Sequence, residues 1–492
     1  MALATTNVRR RWVVALTMPQ LLWSLFAAGA HAMSGPHAQV LKFVDQNAAS
    51  YIETSHRIWA HPELGYQEFQ SSAALQAALR QDGFTVTSPV AEEPTGFIAS
   101  YGEGKPVIGI LGEFDALPGL SQDAVPERKV LSEGAPGHAC GHNLLGSGAA
   151  LAAVALREYM LENHVRGTLR FYGTPAEEGG DGKVYMLRAG LFKDTDVVLQ
   201  WHPADHNAVS NGGMLAIVSA KFVFHGIAAH AAMAPERGHS ALDAVMLTGT
   251  GIEYLREHVP SNTRIHYTIS KGGVAPNVVP DLAELYLFAR SPDLATLDNV
   301  WARLQKIAEG AGLMTETRLE TQVIGGDANI LGNDVLARVA QRNLAQVGGF
   351  HYNEQEQKFA IELQKSLPPE GVKPLETSAR IDPLTPFDPN APAASTDVGD
   401  ISWNVPTIGF AAATFVPGVA AHTWQAAASA GMSIGQRGMV VAAKAMALTG
   451  ADLYASPQLV ADARAEFDRQ LAGKKYRSFI PEGRQPPLDY RR

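Results

Sequence analysis

A single cysteine, Cys140, stands in a chain of 492 residues, so no internal disulfide can form. A small, disulfide-stapled fold is thereby excluded. Charge is also scarce. Charged residues make up 18% of the chain, and acids outnumber bases by 49 to 40, for a net charge of -9 with histidine neutral. Nucleic acid is therefore not expected as a partner, because phosphate binding needs concentrated basic charge. Beyond the first 32 residues no run is expected to span a bilayer, so no stable membrane insertion is expected after removal of a leader. Apolar residues are plentiful by contrast. At 46% they suffice for a large core shared between two domains.

The first 32 residues read as an export signal. Arg9, Arg10 and Arg11 form a basic start, Trp12 to Ala28 is mostly apolar, and Ala30-His31-Ala32 fits the small-x-small pattern before a cleavage site. The product is expected to be periplasmic or secreted. In an oxidising compartment its one thiol would need protection, either by ligation to a metal or by burial.

Hydrophobic periodicity predicts helices over 39–57 and 68–81, strands over 85–87, 97–99 and 106–111, a long Ala- and Leu-rich helix over 144–161, a strand over 168–174, a helix over 184–189 and a strand over 196–199. This alternation indicates an α/β fold, a mixed sheet flanked by helices. The texture changes near Gly212. Strand 216–225, helix 240–258, strands 263–269 and 283–288, and helix 297–309 read as a small α+β unit. The organisation expected is a signal peptide at 1–32, a catalytic domain at 38–212, an inserted domain at 213–325, the rest of the catalytic domain at 326–460 and a tail at 461–492. Strand 406–410 and helix 435–448 belong to the resumed part. The Pro-rich stretch 355–392 reads as loop, and the chain from Lys474 onward as a peripheral tail.

Chemically versatile residues cluster where apolar runs end. Cys140 and His142 share a glycine-flanked turn ahead of the long helix, and a Cys-x-His pair there can hold a metal or simply be buried. Glu177 and Glu178 follow a strand. Adjacent carboxylates repel, so the pair is either a solvated acidic loop or a ligand beside a general base. His202, framed by Trp201 and Pro203, and His422, before Thr423-Trp424, lie at two further strand ends. Strand ends of an open α/β sheet converge on one crevice, which makes a shared metal site the sharper alternative to six unrelated structural side chains. Asp115 is a candidate to orient a ligand or the attacking water, or else a helix cap. In the inserted unit, His230 and Asn277 are candidate hydrogen-bond donors to a substrate, or an ordinary turn histidine and capping asparagine.

Eight segments in order resemble the M20 metallopeptidases, in the amidohydrolase branch that contains aminobenzoyl-glutamate hydrolases, N-acyl amino acid hydrolases and auxin-conjugate hydrolases. They are GEFDALPGL from Gly112, PGHACGHNLLG from Pro136, GTPAEEGG from Gly173, QWHP from Gln200, AAHAAMAP from Ala228, GGVAPNVVPD from Gly272, STDVGDISWNVPT from Ser395 and AHTW from Ala421. The resemblance implies a zinc-peptidase-like α/β domain with an inserted lid or dimerisation domain. It implies two divalent metal ions, zinc or manganese, on Cys140, His142, Glu178, His202 and His422, with Cys140 as the bridge. Glu177 would be the general base and Asp115 the supporting aspartate. His230 would donate to the oxyanion from a partner subunit, and Asn277 would lie near the substrate carboxylate. The implied activity is hydrolysis of an amide beside a free carboxylate in a small molecule. A dipeptidase and a noncatalytic metal-dependent binding protein are the alternatives. A homo-oligomer is implied, with a related second subunit as a further option. Asn143 departs from the pattern, since aspartate is usual there and asparagine carries no charge.

Overall fold

The computed structural model describes residues 35–390 and 394–491, so the export signal read over 1–32 lies outside the described residues. The chain first lays down β1 (Thr85–Thr87), β2 (Phe97–Glu103), β3 (Val107–Glu113), β4 (Gly167–Thr174), β5 (Val197–Ala204) and β6 (Ala208–Ser210). It next builds a separate sheet from β7 (Ala216–His225), β8 (Arg264–Lys271), β9 (Leu282–Ser291) and β10 (Arg318–Gly325), then returns with β11 (Thr407–Ala413). The first sheet has the order β1-β2-β4-β3-β5-β11-β6. Its centre, β4-β3-β5-β11, is parallel, while the flanking pairs are antiparallel. β3 is buried along its whole length, as a parallel strand covered on both faces must be. The parallel strands bring their carboxyl ends to one edge of the sheet, and every catalytic-domain candidate lies near that edge.

The helix His142–Glu162 lies at the heart of the core. By length and composition it could cross a membrane, contrary to the sequence expectation that no such run follows the leader. It is instead a core helix, with 83% of its most apolar window buried. Its alanines at 149, 150, 152, 153 and 155 are fully covered by the protein. Small side chains let neighbouring elements approach closely.

The second sheet has the order β10-β7-β9-β8 and is antiparallel throughout. One face carries Val218, Ala220, Phe222 and Phe224 into a core with the helices Ala241–Arg256 and Leu294–Thr315. The fourth strand, β10, was not read from the sequence. Its polar run Glu320-Thr321-Gln322 interrupts the apolar residues at a half-exposed edge, so neither alternation nor an apolar run marks it.

Two other expectations are corrected. The stretch expected as loop over 355–392 contains a helix, Glu354–Gln364, started by a capping box in which Asn353 and Glu356 satisfy each other's backbone amides. The chain from Lys474 onward, expected to be a peripheral tail, buries Phe479 and Ile480, and the tail span expected from 461 begins within the helix Pro457–Leu471.

Asn143 is fully buried. Its amide nitrogen donates to Ser55 Oγ at 3.1 Å and to the Ala430 carbonyl at 3.5 Å. The asparagine thus supplies a donor that an aspartate lacks, and it ties the start of the central helix to the helix Pro36–Ala60. Asn143→Asp is expected to cost about 1–3 kcal/mol by placing a buried carboxylate against a carbonyl. Chemical denaturation of the variant against the parent measures this.

Candidate metal centre

Four strand ends and one helix start build the site. β3 runs into Glu113 and then Asp115, and β4 runs into Glu177 and Glu178. His202 lies within β5, paired with Ala411 of β11. His422 follows β11, and its backbone amide donates to the Ala139 carbonyl at 2.9 Å. Cys140 and His142 flank Gly141, which caps the central helix at φ 78. A Cβ at Gly141 would sit 2.9 Å from Pro203, so glycine is needed both for the left-handed turn and for the close approach.

Asp115 organises this assembly. One carboxylate oxygen accepts from His142 Nδ1 at 2.9 Å, and the other accepts from the Glu178 backbone amide at 2.9 Å. The aspartate therefore acts as an orienting residue, not as a helix cap. Its bond places the His142 proton on Nδ1 and leaves the Nε2 lone pair free. His202 is held in the same way. Its Nδ1 donates to the Pro203 carbonyl at 2.8 Å, and its Nε2 lies 3.4 Å from Cys140 Sγ. His422 Nε2 lies 3.4 Å from Glu178 Oε1.

The residues present fit a metal centre. His142 Nε2, Glu113 Oε2 and Glu178 Oε1 are buried and make no well-formed hydrogen bond among the described residues, although His142 Nε2 lies 3.2 Å from Glu113 Oε2 and Glu178 Oε1 lies 3.4 Å from His422 Nε2. Orphaned buried polar atoms are rare, and three beside one thiol mark a place for a cation. Cys140, His142 and His202 bring ligand atoms within 4.8 Å of one another, and so do Cys140, Glu178 and His422. Cys140 belongs to both triads, as a ligand shared by two ions would. A third triad joins Glu113, His142 and Glu177.

The electrostatics separate the two glutamates. Burial, followed by repulsion from Glu113 and Glu178, pushes the Glu177 carboxyl well above its ordinary range. Burial also acts to raise Glu178, but its bond with His422 and the nearby His142 hold it below. A pair pushed apart in this way provides a fixed anion and a proton-accepting base side by side. Burial raises the Cys140 thiol. Burial alone would lower His142, yet Cys140 and Asp115 hold it well up.

Sequence reasoning missed the support behind these groups. Lys183 is completely buried, 2.8 Å from Glu113 and 2.7 Å from Asp397. Asp397 also accepts from the Lys183 backbone amide at 3.0 Å. The only available signals were the segments GEFDALPGL and STDVGDISWNVPT, which contain the two acids; nothing marks Lys183. Glu68, equally buried, accepts from the Ala176 amide at 2.9 Å and from Thr95 Oγ1 at 2.8 Å. It thereby pins Ala176, whose φ is 57, just before the glutamate pair.

His230 and Asn277 are not brought to this cluster. Their segments run side by side, with the Ala231 amide donating to the Asn277 carbonyl at 3.1 Å and a bridge between His230 and Val278. Both residues are exposed, and neither lines the cleft that opens on Glu177, Glu178 and His422. That cleft, of about 1290 Å³, is walled on its other side by the open face of the second sheet, including Lys221, Arg264, His266, Tyr286, Phe288 and Arg290.

Comparison with known proteins locates this architecture. A peptidase dimerisation domain matches residues 214–314. The chain is 38% identical over 476 residues to one of the subunits of the p-aminobenzoyl-glutamate hydrolase of Escherichia coli, covering 91% of this chain and 99% of that protein. It is 29% identical over 453 residues to the Xaa-Arg dipeptidase of Homo sapiens, covering 88% and 92%. Among solved structures, a dinuclear metal-binding M20 peptidase of Bacillus subtilis shares the fold at a TM-score of 0.57 and 17% identity, covering 84% of this chain and 99% of that one.

Two outcomes are expected. Asp115→Asn should weaken divalent metal binding by about 10–100-fold, as loss of an orienting partner does, and a competitive chelator titration measures it. The second concerns Glu68, whose carboxyl burial and then Asp115 push up to about 8. The folded chain then holds a proton there that the unfolded chain releases above its ordinary carboxylate range, so this group costs stability as pH rises toward 8. Glu68→Gln should gain stability relative to the parent between pH 5 and 8, read by denaturation at fixed metal concentration.

Proposed function

This chain belongs to the M20 metallopeptidase family and is a hydrolase of amide bonds; on that footing we propose that it cleaves a small amide next to a free carboxylate, of the aminobenzoyl-glutamate or N-acyl amino acid kind. The observation that carries this reading is the cleft itself. It joins Glu177, Glu178 and His422 to a wall bearing Arg264, Arg290 and Lys221 beside Tyr286 and Phe288. Lys221 is paired with Glu284, and Asp327 lies close enough to act on Arg290, but neither Arg264 nor Arg290 makes an ion pair among the described residues, which favours an anionic substrate. The relative of 38% identity is by name part of a hydrolase of such an amide. A dipeptidase is the weaker alternative, because a basic wall disfavours the cationic side chain that the name Xaa-Arg dipeptidase denotes.

Cys140, His142, Glu178, His202 and His422 would hold two ions, zinc or manganese; the thiol and imidazoles favour zinc. When bound, such ions supply Lewis acidity to the amide carbonyl and acidify water. Glu177 takes the proton of the attacking water and returns it to the departing amine nitrogen. Its raised proton affinity, set by burial and by Glu113 and Glu178, suits both halves of that transfer. Asp115 keeps His142 in the tautomer described above, and Lys183 neutralises Glu113 behind it.

His230 and Asn277 are read as serving a partner's cleft. Their exposure, their adjacency and their absence from this chain's own cleft support an oligomer built through the dimerisation domain. The bacterial hydrolase relative is by name one of two kinds of subunit, which makes a related second chain a further option. The leader pattern supports export to a periplasmic or secreted location.

A screen of p-aminobenzoyl-glutamate, N-acyl amino acids and dipeptides, with zinc, manganese or EDTA, tests the reading. Carboxylate-bearing amides should be cleaved, and EDTA should abolish turnover. Glu177→Gln should keep its metal and lose about 10²–10⁴-fold in kcat. Undiminished turnover in that variant would remove Glu177 from the mechanism.

A further inference from the structure

The segment 476–491 is a built strap that reaches the metal centre. Tyr476 donates its hydroxyl to Asp400 at 2.8 Å, Phe479 joins the core of the second sheet, and Ile480 packs with Val184 and Tyr185. Side chains of the catalytic domain then hold successive backbone carbonyls. Arg188 donates to Pro481 at 3.2 Å, Tyr185 to Gln485 at 3.3 Å and Gln67 to Leu488 at 2.9 Å. Tyr490 meets the buried Tyr66 edge to face at 6.1 Å. The guanidinium of Arg491 lies 5.3 Å over the Tyr490 ring and donates to the Glu178 backbone carbonyl. Arg484, Asp489, Tyr490 and Arg491 all line the cleft beside Glu177, Glu178 and His422.

Fixing an arginine next to a centre that binds cations needs a reason. Arg491 is not neutralising a carboxylate, since it makes no ion pair among the described residues and the Glu178 side chain turns to His422 instead. Bonds to the Glu178 carbonyl and to the Tyr490 side chain leave guanidinium donors unspent, on the wall of the cleft. The ring of Tyr490 and the anchored strap restrict the side chain, so little entropy is lost when it binds. A planar donor fork beside the scissile position matches a carboxylate.

We propose that Arg491 is a specificity-determining residue that binds a carboxylate of the substrate from the C-terminal strap. The proposal rests on the reading above, that the substrate is an amide bearing a free carboxylate.

The test compares p-aminobenzoyl-glutamate with its dicarboxamide, as substrate or competitive inhibitor, on the full chain loaded with metal. For Arg491→Ala, KM for the diacid should rise about tenfold or more, as loss of a charge-assisted pair implies. Its kcat and metal content should stay within about twofold of the parent, and the dicarboxamide should be unaffected. Arg491→Lys should recover part of the loss. An unchanged KM for the diacid, with the parent active on it, overturns the role of Arg491 and leaves the functional reading standing. Equal losses for diacid and dicarboxamide reduce the strap to a structural element and also overturn it. A parent enzyme that cleaves only amides without a carboxylate removes the functional reading, and the ligand assigned to Arg491 with it.

Discussion

A surplus of buried negative charge governs this structure. Glu113, Asp115, Glu177 and Glu178 converge at the carboxyl edge of the parallel strands, and among the described residues Lys183 is the buried cation set among them. Burial and then repulsion from Glu113 and Glu178 push Glu177 well up, while against the effect of burial Lys183 and the neighbouring histidines hold Glu113, Asp115 and Glu178 below their ordinary range. Asp397 shares Lys183 and is itself pushed up to about 6, by burial first and by Glu113 against the pull of Lys183. One ammonium does not balance this set. Divalent cations do, and Cys140, His142, Glu178, His202 and His422 bring their ligand atoms together in two triads that share the thiol.

The fold converts that constraint into a directional site. Parallel strands aim their ends at one crevice, and the central helix starts there with Cys140 and His142 on either side of Gly141. Asp115 couples two of these elements by bonding the His142 imidazole and the Glu178 amide at once. The second sheet contributes no metal ligand. Its open face provides a basic and aromatic wall across the cleft from Glu177, Glu178 and His422.

Much of this was legible in the sequence because strand ends are marked by abrupt changes from apolar to polar residues. Glu177-Glu178 after β4 and His202 in β5 stand out for that reason, and Cys140 stands out by being alone. What escaped depended on tertiary packing. Lys183 follows a glycine-rich turn and reads in the sequence like any exposed lysine, and only the fold buries it between two acids. Asn143 read as a weakened aspartate until its amide was seen to bond Ser55 and Ala430. The edge strand β10 lacks an apolar run, and the helix Glu354–Gln364 was masked by the prolines that follow it. The strap was missed because its anchors, Phe479, Ile480 and Tyr490, are spaced without helical or strand period.

The central claim is that the buried anionic cluster exists to hold two divalent ions. Metal content per chain after mild purification, followed by thermal unfolding before and after exhaustive chelation, tests it most directly. The account predicts two tightly held zinc or manganese ions per chain and a fall in unfolding temperature when they are stripped. A chain that purifies without stoichiometric metal, and whose unfolding and amide hydrolysis are indifferent to chelator, would contradict it.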